Sequence, residues 1–100
     1  MKKDLILQLF DLVIAEERFV RLQAGENYLI LSPHSREGVE FPRGVSVTRV
    51  TPYGETNRLF YFPETMREEF FRHINRHVGK RELELTLHRL HNTPDGDMAA

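Results

Sequence analysis

Three side chains of this 100-residue chain stand at a spacing that could hold a metal ion: Glu69, His73 and His77. On a helix, positions i, i+4 and i+8 share one stripe, and a carboxylate with two imidazoles suits zinc or nickel. The set lacks the glutamate that follows the first histidine in the metalloprotease motif. It reads more simply as a Glu69–His73 surface pair, with His77 near a helix C-terminus whose dipole favours positive charge. His88 and His91 are three apart, which puts them on opposite faces of a strand and spoils chelation there. Asp95-Gly96-Asp97 opens like a calcium loop but lacks the regular liganding positions and the closing glutamate. Ser32-Pro33-His34-Ser35 sets hydroxyls beside an imidazole with no orienting acid close by. There is no G-x-S-x-G elbow and no glycine-rich phosphate loop. No enzyme, metal or cofactor is therefore expected.

Two further groupings point to binding. Arg72, Arg76 and Lys80 follow Glu68 along one helical stripe, and Arg81 and Arg67 extend its basic character. Such a stripe could sit on phosphates or on an acidic partner surface. It could equally be a solvated face whose Glu–Arg pairs contribute a few tenths of a kcal/mol each. Arg58, Phe60, Tyr61 and Phe62, with Tyr28 and Arg49, suggest an aromatic sheet of the kind that stacks unpaired bases. One parity of that strand must nevertheless be core. The formal charge of −1 argues against a surface built throughout to hold a polyanion.

The elements that would carry these residues can be traced along the chain. DLILQLFDLVIAEE, residues 4–17, reads as a helix with Asp4 as a plausible N-cap and a stop near Arg18, the alternative being a run on to Gly25. Eight of the ten residues from Leu5 to Ile14 are apolar. One sheet face cannot cover so wide a stripe, so this helix is either sandwiched or meets a second subunit, with Phe10 and Ile14 as apolar anchors. FVRLQ and NYLILS flank Ala24-Gly25-Glu26 as a hairpin. A polar loop over residues 33–38 leads to a short VEF strand at 39–41. GVSVTRV then alternates with period 2, and RLFYF forms another strand. Thr65-Met66-Arg67-Glu68 has capping-box spacing ahead of the apolar stripe Met66, Phe70, Ile74 and Val78, and Gly79 is a natural C-cap. RELELTLHRL alternates Leu83, Leu85 and Leu87 against polar neighbours, as a last amphipathic strand would. Residues 92–100 have nothing to bury and read as a flexible tail.

The expected fold is α+β: an antiparallel sheet of four to six strands, an N-terminal helix and a second helix before the last strand, in a single domain over residues 1–91. A chain of this length buries about 60–65% of its unfolded surface in one small core. Cysteine is absent, excluding disulfide staples and sulfur-based zinc sites, which fits the cytoplasm. The start, Met1-Lys2-Lys3, resembles the basic end of a signal peptide. The following apolar stretch is broken by Asp4, Gln8 and Asp11 and lacks a cleavage site, so an unprocessed soluble chain without a membrane span is expected. The leading functional expectation is a non-catalytic protein–protein interaction module: an adaptor, inhibitor or regulatory protein whose partner is another protein or a second copy in a homodimer. Its candidate partner-binding residues are Phe10, Ile14, Arg72, Arg76, Lys80 and Arg81. The alternative is nucleic-acid binding through the basic helix and the aromatic, arginine-bearing strands.

Overall fold

The computed structural model describes residues 1–34 and 43–92. Helix α1 (Lys2–Glu16) leads into the strands β1 (Val20–Ala24), β2 (Asn27–His34), β3 (Gly44–Val50) and β4 (Thr56–Pro63). One 3-10 turn, Glu64–Met66, precedes helices α2 (Arg67–His77) and α3 (Lys80–Asn92). The strands form a single antiparallel sheet in the order β1-β2-β3-β4. The α+β class and the N-terminal helix are as expected. The expected VEF strand at 39–41 and the tail from residue 93 onward lie outside the described residues. No helix among the described residues is long and apolar enough to cross a membrane.

Helix α1 stops at Glu16 because Glu17 takes a left-handed backbone (φ 51°), and the chain turns into β1. Asp4 lies within the first turn rather than at the cap, where its carboxylate still meets the positive end of the dipole. Gly25 supplies the positive φ of 65° that the β1–β2 turn requires. Gly44 is needed for a different reason: a Cβ there would collide with the Phe62 carbonyl oxygen on β4. Val20, Leu22, Leu29, Leu31, Val45, Val47 and Phe62 all point to one face of the sheet and are buried.

The helices cover that face. Helix α1 contacts β2 and β3, with α2 on one flank and α3 on the other. The wide apolar stripe of α1 is thereby sandwiched: Ile6, Leu9, Phe10, Val13 and Ile14 are all core. Phe10 is 1% and Ile14 8% exposed, so neither is a surface anchor, and the apolar surplus that suggested a second subunit is consumed within the chain. Phe70 of α2 joins Phe10 at 4.6 Å and Phe62 at 5.6 Å between ring centroids. The Lys3–Glu68 and Arg67–Asp11 ion pairs bridge the exposed seam between α1 and α2. Such exposed pairs add little energy, roughly 0–1 kcal/mol each. Arg18 is buried and donates from Nη1 to the Leu90 carbonyl at 3.0 Å, satisfying an orphan acceptor at the end of α3.

The segment read as a last strand is helix α3. Leu83 and Leu87 satisfy both a period of 2 and a spacing of i, i+4, so the alternation alone was ambiguous. Leu90, buried seven residues after Leu83, and exposed Leu85 (51%) fit only the helix. The segment's Glu, Leu and Arg content also favours a helix, and Thr86 is its only β-branched residue. The capping box at Thr65 does not form. The 3-10 turn precedes α2, and no side chain caps either element. Gly79 does not close α2 in a left-handed conformation: the helix ends through extended Val78, whose N–H donates to the Ile74 carbonyl. Gly79 instead begins α3, accepting from Leu83 N–H at 3.2 Å.

Helix α3 also guards an edge of the sheet. Glu82 Oε2 accepts from the Gln23 backbone N–H at 2.9 Å, occupying a donor on the outer side of β1.

Two measurements check this packing. Leu83→Ala and Leu87→Ala should each cost about 2–5 kcal/mol in chemical denaturation, whereas Leu85→Ala should stay within about 0.5 kcal/mol. Equal losses at all three positions would restore the strand. Thr86 is fully buried and its hydroxyl has no hydrogen-bond partner among the described residues. Thr86→Val should therefore raise stability by about 1 kcal/mol in the same assay.

Candidate functional site

The alternation of β3 places Arg49 on the same face as Val45 and Val47, so a cation reaches the helix-covered side where the sheet runs out beyond the core. There a cleft of about 480 Å³ opens between the sheet and the last turns of α2. Phe60 supplies its apolar wall, backed by buried Leu29 and Val47, and His73, Arg76 and His77 of α2 line the opposite side with Arg49 across from them. Buried Phe70 and Ile74 anchor α2 to the core, and helical spacing turns positions 73, 76 and 77 toward the cleft.

The aromatic groups meet in tilted and edge-on contacts. His73 lies 4.7 Å from Phe60, 5.5 Å from Phe62 and 5.1 Å from His77, centroid to centroid. Arg49 is steadied by Asn27: with the amide oxygen turned toward the guanidinium, Nε and Nη2 donate to it at 3.2 and 3.0 Å. No carboxylate is among the described residues lining the cleft. The negative end of α2 contributes about half a unit charge at its last turn, which two permanent guanidinium charges outweigh. The cleft is therefore cationic, with an apolar wall and planar donors. No hydroxyl or thiol side chain is among the described residues lining it.

Another depression, of about 330 Å³, lies where Arg43, Glu64, Asp11 and Arg67 meet the end of α1. Both of its guanidiniums are engaged within the chain: Arg67 pairs with Asp11, and Arg43 donates to the Ile14 carbonyl at 2.9 Å. It offers an external anion nothing comparable.

Of the candidate binding residues, only Arg76 reaches the cleft. Arg72, Lys80 and Arg81 are exposed outside it, while Phe10 and Ile14 are core. The aromatic sheet divides by parity: Phe60 and Phe62 face the helices, and Tyr28 and Tyr61 face the opposite side. Arg21 stacks over Tyr28 at 4.2 Å on that far face. The Arg58 side chain lies outside the described ones. Glu69, His73 and His77 do follow one another along α2, yet no group of three metal-ligating side chains converges among the described residues. His88 contacts Asn92 on the exposed side of α3. Arg49, Asn27 and Leu29 line the cleft without any local pattern marking them as binding residues together. The signal for Arg49 was present, since it shares strand parity with Val45 and Val47 rather than with Ser46 and Thr48.

No family model, curated protein or solved structure matches this chain.

The cleft leaves a mark on titration. Burial, and then the neighbouring His77 and Arg76, hold the His73 imidazole below its ordinary value of 6.5. The unfolded chain therefore binds the proton at higher pH than the folded one. Stability is fully present above the ordinary histidine value and is lost as pH falls through the lowered one. Melting scans at about pH 7.5 and about pH 5.5 should show a smaller acid-induced drop in Tm for His73→Gln than for the parent. An unchanged drop would mean that His73 titrates as an ordinary surface imidazole.

Proposed function

We propose that this chain is a non-catalytic interaction module that captures an acidic segment of a partner protein in the α2–sheet cleft. The observation that carries the reading is the meeting of two guanidiniums and two imidazoles around an apolar wall, with no carboxylate among the described lining residues. An acidic segment supplies both needs: side-chain carboxylates for the arginine forks and an apolar neighbour for the exposed part of Phe60. The mechanism is occlusion or bridging, driven by contact alone, and the absence of cysteine from the sequence suits work in the cytoplasm.

Convergence of Arg49, Phe60 and Arg76 also gathers both halves of the nucleic-acid alternative into one place. A nucleic-acid strand, however, presents a continuous row of phosphates. From Arg67 to Glu84 the basic residues Arg67, Arg72, Arg76, Lys80 and Arg81 are interleaved with Glu68, Glu69, Glu82 and Glu84. One concentrated cationic cleft amid mixed charge fits a short acidic segment better than a polyanion.

Calorimetric titration with a Glu/Asp-rich peptide tests the reading. Arg49→Ala with Arg76→Ala should weaken binding by at least about tenfold while the far-UV circular dichroism stays unchanged. Undiminished affinity in that folded double variant, or no binding by the parent, would overturn the site. If a single-stranded oligonucleotide binds more tightly than the peptide, with an affinity that falls steeply as salt is added, the nucleic-acid alternative replaces this reading.

A further inference from the structure

We propose that the group seated in the cleft is a phosphate monoester carried on an aromatic ring, borne by a phosphorylated aromatic side chain within the partner's acidic segment. This rests on the cleft being the docking site argued above.

Charge is the first consideration. Arg49 and Arg76 are permanent cations, and Arg76 makes no ion pair among the described residues. One carboxylate balances only one of them. A phosphate monoester carries about −1.5 to −2 at neutral pH and presents three strong acceptor oxygens. Two guanidinium forks approaching from β3 and α2 suit such a tetrahedral dianion, because each can donate to a pair of oxygens.

The second consideration is the wall beneath those forks. Phe60 is 38% exposed and lies 4.7 Å from His73 between ring centroids, with buried Leu29 and Val47 also lining the cleft. Aromatic rings attract other rings in offset or tilted arrangements, and a ring attached to the phosphate has this surface to meet. A cleft of about 480 Å³ lies within the ordinary range for a small-molecule site of roughly 300–1,000 Å³, and holds one phosphorylated ring rather than a long segment.

The third consideration is proton linkage. The described titratable or charged groups facing the cleft are Arg49 from β3 and His73, Arg76 and His77 from α2, while β2 and β4 contribute uncharged Asn27, Leu29 and Phe60. Burial is the main cause that holds His73 neutral, with the neighbouring His77 and Arg76 charges second, and a dianion placed among these groups opposes that second, electrostatic part. Binding should consequently take up protons.

The experiment uses the full chain and two acidic peptides identical except that one tyrosine is phosphorylated. The phosphopeptide should bind at least about tenfold more tightly, with proton uptake revealed by titrations in buffers of different ionisation heat. The gain should vanish in Arg76→Gln and in Arg49→Gln and persist in Arg21→Ala, on the opposite face of the sheet. Circular dichroism of each variant establishes folding, and Arg76→Gln alone suffices if Arg49→Gln does not fold. Equal binding of the two peptides, lost together in Arg76→Gln, would overturn this inference and leave the acidic-segment reading intact. No binding by either peptide would overturn both. A phosphate gain surviving in folded Arg76→Gln would place the phosphate elsewhere and overturn the assignment. Adenosine monophosphate binding as tightly as the phosphopeptide would overturn the partner segment as the source and leave a free phosphorylated small molecule in its place.

Discussion

The contact among Phe10, Phe70 and Phe62 is the constraint on which the remaining architecture depends. One aromatic group comes from each of α1, α2 and β4, and their rings meet at 4.6 and 5.6 Å. Aromatic pairs add about 0.5–1.5 kcal/mol beyond the area they bury. The larger consequence is geometric. With Phe70 fixed, the rotation of α2 about its axis is set, and the residues three, six and seven positions later must face the end of the sheet. A cationic cleft exists because the same helix is apolar on one side and basic on the adjoining one.

This dependence explains how much of the molecule was legible in the sequence. The hairpin at Gly25, the strands at 44–50 and 58–62 and the apolar stripe of the second helix all follow from local patterns, and they are present. The segment around Leu83 was not legible from alternation because spacing by four residues belongs to both a helix and a strand. The outcome turned on Leu90 and on which side of Leu85 met the core. The capping box failed for a related reason. Its spacing is a local pattern, whereas the turn at Glu64–Met66 is tied to the rest of the fold, with the Glu64 N–H donating to the Arg43 carbonyl at 2.9 Å.

The candidate site was legible only in fragments. Local pattern assigns Arg76 to a helix face and Arg49 and Phe60 to a sheet face. Their convergence depends on long-range pairing of β3 with β4 and on the docking of α2 across the sheet, neither of which leaves a local signature. Phe10 and Ile14 show the converse. Their apolar excess is plain in the sequence, but whether it faces outward is decided by α2 and α3, more than fifty residues further along the chain.

The two margins of the sheet are unequal. On β1, Glu82 occupies the outward Gln23 N–H, and the strand is only five residues long. On β4, the register slips at Thr48/Arg49 so that Arg58 is an extra residue in the pairing, the sort of irregularity that twists a margin. A fibre that grows strand upon strand needs every unit to offer two receptive margins. With the Gln23 donor stoppered by a carboxylate from α3, the β1 margin offers an incoming strand an interrupted ladder rather than a complete one.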